Sequence, residues 1–247
     1  MNRKLLIPVM SVLMLITVYV ASNVVLPQTH SVMAGNISDN GVINEAVDLS
    51  VDFSGRCVVI DSGHGGIDPG KEGRNGVLEK DINLAIAMKL KELLEQSQIR
   101  VVMTRTKDEG LYEENDTNKK AADMKKRCGI INDSGADMVV SIHQNSFQSG
   151  LVKGAQVFYY KYSAEGKELA QIMQEKLIEE LDNDNKRVAK EDNTYYLLIN
   201  TKIPTVIAEC GFLSNDMEAE LLVTEEYQQK VAMALYDGII EYLISQK

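Results

Sequence analysis

Short apolar runs alternate with longer amphipathic stretches along most of this chain, and that alternation limits the folds it can adopt. The strand-like runs are 57–61, 100–104, 138–143, 155–160 and 204–209. The stretches with helical spacing are 80–96, 117–133, 165–181 and 225–243. Strands that alternate with helices form largely parallel sheets covered by helices. The sequence therefore predicts an α/β fold with three layers, in which a mostly parallel, twisted sheet of about six strands has helices on both faces.

The amino terminus has the pattern of an export signal. Asn2-Arg3-Lys4 supplies a positive flank, and residues 5–26 are uncharged, mostly apolar and about as long as a bilayer core is thick. Val20-Ala21-Ser22 also offers a small-residue cleavage site. Residues 1–26 are therefore expected to be either a cleaved signal peptide or a retained membrane anchor. Residues 27–54, rich in Ser, Asn, Gly and Asp, predict a flexible linker, and 55–247 predicts one folded domain.

Charge and cysteine content exclude several classes of protein. The net charge is −10 and no long basic stripe is present, which argues against binding to nucleic acid. Cys57, Cys128 and Cys210 are an odd number in a chain expected to be exported, so they cannot all pair internally. Their apolar surroundings predict free or buried thiols, and their spacing does not match a structural zinc site.

Three of the strand-like runs end on or near a residue that could bind or serve a metal: His64, His143 and Glu209. Ligand sites in open α/β sheets lie outside the carboxyl ends of the strands, so these residues are expected to converge. Each histidine also has an ordinary structural interpretation. His64 lies in the glycine-rich stretch 61–66, where a histidine can simply be a turn residue, and His143 could be a satisfied, half-buried side chain.

Two carboxylates complete the candidate site. Glu79 comes just before a convincing helix, where the helix dipole alone could explain an acid. Glu209 ends a run that reads as fully buried, so its carboxylate needs a partner such as Arg105 or Arg127. Without a partner, burial should raise the pKa of Glu209 towards the range that is useful for proton transfer.

Two histidines and one carboxylate form a ligand set that hydrolytic zinc sites use, with a fourth position open to water. The set predicted here is His64, Glu79 and His143 around Zn²⁺, with Glu209 as the unligated acid that transfers the proton. The pieces are far apart in sequence, and no H-E-x-x-H motif is present. The assignment therefore depends on the fold bringing them together.

Four blocks of sequence, in this order, resemble the zinc-dependent N-acetylmuramoyl-L-alanine amidases of bacterial cell-wall hydrolysis. The blocks are 59–66, 76–81, 141–146 and 207–215. The resemblance implies that His64, Glu79 and His143 hold zinc and that Glu209, in an E-x-G-F-L-S-N stretch, is catalytic. It covers about 56–243 and makes 55–247 a catalytic amidase domain.

The resemblance also implies a substrate and a place of action. Enzymes of this family cleave the amide that joins N-acetylmuramic acid to L-alanine in peptidoglycan. A single catalytic domain behind an apolar amino-terminal segment resembles the germination-specific members, which help to form muramic-δ-lactam in the spore cortex. The expected location is extracytoplasmic, anchored or secreted, such as the space between the forespore membranes. Peptidoglycan is the expected substrate, and an activator or regulatory protein is a further expected partner.

Two alternatives stay open at this point. One is a zinc peptidase or deacetylase that acts on another cell-wall component. The other is a non-catalytic peptidoglycan-binding module. Glu209 argues against the binding module, since a site that only binds has no need of a buried base.

Overall fold

One mixed sheet lies at the centre of the computed structural model, which describes residues 51–73 and 76–246. Its strands are β1 (Cys57–Ser62), β2 (Arg100–Met103), β3 (Met138–Asn145), β4 (Gln156–Tyr160), β5 (Lys190–Asp192) and β6 (Thr205–Phe212). The strand order is β2-β1-β3-β6-β4-β5. β4 is antiparallel to β6 and parallel to β5, whereas the pairs on the other side of β6 are all parallel.

Helices cover both faces of this sheet. They are α1 (Glu79–Gln96), α2 (Lys119–Asp133), α3 (Ala164–Leu181), α4 (Tyr196–Asn200), α5 (Asp216–Leu222) and α6 (Glu225–Ser245). Alternation along β1 separates two cores, because Val58 and Ile60 pack in the large cluster with α1, α3 and α6, whereas Cys57 and Val59 pack with α2 and α4. The predicted three-layer, mostly parallel α/β fold is confirmed.

The ends of two central strands differ from the sequence prediction. β3 continues to Asn145 and β6 to Phe212, so His143 and Glu209 lie inside their strands rather than at the ends. His143 pairs with Glu209 and Asn145 with Phe212, so β6 carries one extra residue at a bulge between these pairs. The bulge marks the point where the regular ladder gives way to the site.

The remaining predictions concern the cysteines and the amino-terminal segments. All three cysteines are free and buried, as predicted. The predicted leader at 1–26 lies outside the described residues, as does the predicted linker up to residue 50. Within the part of the chain that is described, no helix combines the length and apolar character that a membrane span requires.

Candidate metal centre

The centre of the site is the carboxylate of Glu79, the first residue of α1. Its Oε1 lies 3.0 Å from Nδ1 of His143 and 3.2 Å from Nε2 of His64. The main-chain N–H of Gln144 donates to the same oxygen at 3.0 Å, and that of Lys71 donates to Oε2 at 2.8 Å. Burial acts to raise the pKa of Glu79, but hydrogen bonds with both imidazoles outweigh it and hold the pKa well below the usual range.

From the sequence alone, the Glu79 carboxylate could have had only a structural role, the stabilisation of α1 through its helix dipole. That helix has no side-chain cap, and the Glu79 carboxylate points instead at two imidazoles and two main-chain amides from other segments. His64, Glu79 and His143 each offer one ligand atom, and these atoms lie within 4.8 Å of one another. The fold therefore brings the three predicted ligands together.

Two buried arginines hold the loop that presents His64. His64 has a φ of +61°, a left-handed conformation that is uncommon outside glycine. Arg127 donates to the carbonyl of His64 at 2.6 Å and to that of Ser62 at 2.7 Å, while Arg105 donates to Ser62 and Gly63 at 3.0 Å each. These charge-assisted bonds fix the loop in its unusual shape.

Two glycines leave the space that the ligands occupy. A Cβ at position 63 would overlap three atoms of the His143 ring, and Gly63 does not need a positive φ, so the requirement there is purely steric. A Cβ at position 70 would lie 2.5 Å from Oε2 of Glu79 and 2.7 Å from Cδ2 of His64. Any larger residue at either position would displace a ligand.

Glu209 faces this cluster from the neighbouring strand, directly across from His143. It is only 7% exposed, and its Oε2 has no hydrogen-bond partner among the described residues. Burial raises the pKa of Glu209 to about 7, although His143 acts to lower it. The predicted alternative, a structural ion pair with Arg105 or Arg127, is wrong, because both guanidiniums bind the His64 loop and Arg127 pairs with Asp61.

Asp61 and Arg127 form the buried ion pair beneath the site. The Arg127 guanidinium lies 2.7 Å from Oδ1 of Asp61, which also accepts a hydrogen bond from Thr104 at 2.7 Å, and Ser141 donates to Oδ2 at 2.6 Å. Burial acts to raise the pKa of Asp61, but Arg127 and the two hydroxyls lower it to about 2. The carboxylate is thus ionised and fully partnered.

Acid should weaken the fold through this pair. Because the pKa of Asp61 falls from 3.8 to about 2 on folding, its contribution to stability is complete above pH 4 and is lost as the pH falls towards 2. We expect Asp61→Asn to lower the free energy of unfolding at pH 7 by about 3 kcal/mol, since Arg127 loses the more deeply buried of its two carboxylate partners and keeps Asp123. Urea unfolding at pH 7 and pH 3 measures both effects.

The control for this prediction is Glu95→Gln, which breaks the exposed Lys91–Glu95 pair. It should change stability by no more than about 0.5 kcal/mol. An Asp61→Asn protein that lost as much stability between pH 7 and pH 3 as the wild type would contradict the prediction.

A cleft of about 510 Å³ opens over the cluster. Its lining includes Tyr112, Met124, Tyr195, Leu197 and Lys119. Tyr195 packs edge-on against Phe158, with ring centroids 5.5 Å apart. Burial raises the pKa of Tyr195 to about 12, so its hydroxyl keeps its proton at neutral pH. The cleft can thus hold a ligand with both apolar and polar groups.

Two residues that support the site, Asn83 and Asp68, were not predicted from the sequence. Asn83 donates to the carbonyl of Gly63 at 3.2 Å and accepts from the Gln144 side chain at 3.2 Å, so it ties α1 to β1 and β3 behind Glu79. The one available signal was its spacing, because Asn83 follows Glu79 by four residues and so shares its helix face. Asp68 gave no signal, although its Oδ2 lies 3.0 Å from Nδ1 of His64.

The α/β domain gathers two imidazoles and a carboxylate beside a buried acid, and metal-dependent hydrolases build their sites from such a set of side chains. Comparison with known proteins makes the class more specific. Residues 58–241 match the family model described as N-acetylmuramoyl-L-alanine amidase. The chain belongs to this amidase family and is an N-acetylmuramoyl-L-alanine amidase, as the sequence predicted.

Individual relatives point the same way. The germination-specific N-acetylmuramoyl-L-alanine amidase of Bacillus subtilis is 39% identical over 196 residues, which cover 78% of this chain and 82% of the relative. The CwlD amidase from Clostridioides difficile, solved in complex with the GerS lipoprotein, is 45% identical with a TM-score of 0.75, covering 77% of this chain and 99% of that one. The amidase AmiC2 of Nostoc punctiforme is 31% identical with a TM-score of 0.68, covering 77% and 99% respectively.

Proposed function

We propose that this chain is a zinc-dependent amidase that separates N-acetylmuramic acid from L-alanine in peptidoglycan during maturation of the spore cortex. The observation that carries the proposal is the buried Oε2 of Glu209, which has no hydrogen-bond partner among the described residues. Glu209 faces the cluster of His64, Glu79 and His143 from the paired strand. A buried acid with a pKa near 7 is suited to moving protons at neutral pH.

The residues present fit a zinc ion. Imidazole nitrogen and carboxylate oxygen are zinc ligands, and three protein ligands with one open position are typical of catalytic zinc. Gly63 and Gly70 lie so close to the ligating side chains that a Cβ at either position would overlap one of them. When bound, zinc supplies Lewis acidity, which lowers the pKa of water and polarises a carbonyl group.

Glu209 performs the proton transfers in this proposal. Its carboxylate takes a proton from the attacking water and delivers it to the amine of the departing L-alanine. The low exposure of Glu209 keeps bulk water from competing as a proton acceptor. Glu79, whose pKa is held low, stays ionised, as a carboxylate ligand of zinc must be.

The setting of the reaction is also part of the proposal. The Bacillus relative is named as germination-specific, which supports a role in the spore. Residues 1–26 would export or anchor the chain, so that the domain acts outside the cytoplasmic membrane. The C. difficile relative forms a complex with a lipoprotein, which supports a protein partner for this chain as well.

Product analysis on purified cortex peptidoglycan, together with metal analysis of the purified chain, tests the proposal. An amidase releases stem peptides with a free amino group on L-alanine and leaves the glycan strands intact. Release of acetate would instead indicate a deacetylase, and peptides cut internally would indicate a peptidase. Binding without any product would indicate a binding module, and activity that survives removal of zinc by a chelator would contradict the metal.

Replacing Gly63 with alanine should weaken zinc binding. The new methyl group overlaps the His143 ring, which must rotate or shift away from Glu79. We expect zinc affinity to fall by about 10–100-fold, the range seen when the support of a ligand is lost. Competition with a chelating dye measures the affinity.

Gly129→Ala is the matched control for Gly63→Ala. A Cβ at position 129 meets nothing within 4 Å, and this residue lies inside α2. It should leave zinc affinity unchanged and stabilise the fold slightly, since alanine favours helix. Equal zinc affinity in Gly63→Ala and Gly129→Ala would show that the steric argument is wrong.

A further inference from the structure

Asp68 lies behind His64 and has no part in the chemistry described above. Its Oδ2 is 3.0 Å from Nδ1 of His64, whereas Nε2 of the same ring is 3.2 Å from Oε1 of Glu79. The two ring nitrogens thus face different partners: one faces the cluster of ligands and the other faces this carboxylate. The His64 ring thus lies between the carboxylate of Asp68 and that of Glu79.

The chain fixes Asp68 in this place by its backbone. Gly65 and Asp68 exchange both main-chain hydrogen bonds, at 3.0 and 3.1 Å, across a turn. Gly65 and Gly66 have φ values of +135° and +58°, which close the turn directly after His64. The side chain of Asp68 is therefore held beside the ring four residues before it, without a helix.

A second contact holds the carboxylate from the outer side. Nζ of Lys120, an exposed residue in the first turn of α2, lies 3.1 Å from the same Oδ2 of Asp68. The carboxylate is only partly exposed, with 29% of its side-chain surface accessible. Asp68 is thus held between a lysine on the solvent side and an imidazole on the inner side.

We propose that Asp68 is a positioning residue for zinc binding, because it accepts the Nδ1–H of His64 and so keeps the Nε2 lone pair directed at the cluster. The inference rests on the proposed zinc function. A neutral imidazole carries one proton, so a bond that fixes it on Nδ1 leaves Nε2 free to coordinate. A carboxylate in that position also makes the ring a stronger electron donor.

Zinc affinity of Asp68→Ala, measured with a chelating dye, tests the inference. We expect the dissociation constant to rise by about 10–100-fold, with a smaller rise for Asp68→Asn, which keeps an uncharged acceptor. Asp108→Ala is the matched control, because Asp108 binds the N–H of Gly66 and the Lys80 ammonium in the same region but does not contact His64. Its zinc affinity should stay within about threefold of the wild type, well inside the expected effect.

The outcomes separate this inference from the proposed function. If the wild type binds zinc and Asp68→Ala binds it equally well, the inference is wrong and the proposed function stands. If Asp68→Ala and Asp108→Ala lose affinity equally, Asp68 only shapes the loop and the inference is again wrong. A wild type that does not bind zinc at all would overturn the proposed function, and the inference would fall with it.

Nitrogen-15 NMR of the histidine side chains supplies a readout that a purely structural role would not change. The chain has only three histidines, so the His64 signals can be assigned from variants. In the zinc-loaded wild type we expect coordination through Nε2 and a protonated Nδ1 in slow exchange with solvent. Asp68→Ala should lose the slowly exchanging Nδ1–H signal. Coordination through Nδ1 of His64 would overturn the inference directly.

Discussion

Glu209→Gln is expected to lower kcat for cell-wall amide hydrolysis by about 10²–10⁴-fold and to leave zinc bound. General acid–base catalysis by a positioned side chain contributes rate factors of about this size. Glutamine has nearly the same shape as glutamate but cannot take a proton from water. Glu209 is not among the three residues whose ligand atoms cluster, so its replacement should not reduce zinc binding. Turnover on cortex peptidoglycan and zinc content, measured on the same sample, check both halves.

The environment of Glu209 explains why the effect should be specific. This carboxylate is 7% exposed, and its Oε2 has no partner in the described part of the chain, so no structural bond of that oxygen is lost on substitution. Glu220→Gln, an exposed change on α5, is the control and should retain full activity. Wild-type turnover by Glu209→Gln would rule out the proton-transfer role, and simultaneous loss of zinc would make Glu209 a ligand instead.

The sequence predicted the architecture well because the alternation of strand-like and helical runs carries long-range information. Runs such as 138–143 and 204–209 are too short for helices and too apolar for loops, so they had to be central strands of a covered sheet. Parallel strands place their carboxyl ends together, which is why His143 and Glu209 could be expected to meet. Their register, one directly opposite the other, could not be read from the sequence.

Short elements and the partners in buried ion pairs could not be predicted from the sequence. β5 and α4 have three and five residues, too few for a period to be recognised. Arg105 and Arg127 were considered as alternative ion-pair partners of Glu209, but Arg127 pairs with Asp61 and Arg105 binds main-chain carbonyls. Asp61 and Arg127 are 66 residues apart, and their pairing depends on which face of β1 meets α2. Only the packed structure decides that choice.

His143→Ala and His64→Ala are expected to lose zinc and activity together. Each substitution leaves two of the three candidate ligands, and zinc affinity should fall by more than about 100-fold, the upper end of what loss of a supporting residue costs. Activity should fall at least as far as in Glu209→Gln, because loss of zinc removes the group that polarises the substrate carbonyl. The carboxylate of Glu209, which these variants keep, cannot replace that function. Metal analysis after gel filtration, followed by the peptidoglycan assay, measures the two losses.

His30→Ala is the control for both substitutions, since this third histidine falls in the predicted linker. The His30→Ala protein should bind zinc as tightly as the wild type. The comparison with Glu209→Gln then separates two roles within one site. Zinc bound without turnover identifies the acid, and loss of both identifies a ligand. A His143→Ala protein that kept a full equivalent of zinc would show that the ion binds elsewhere. The contact of Glu79 with the two imidazoles would then be a hydrogen-bonded structural cluster rather than a metal centre.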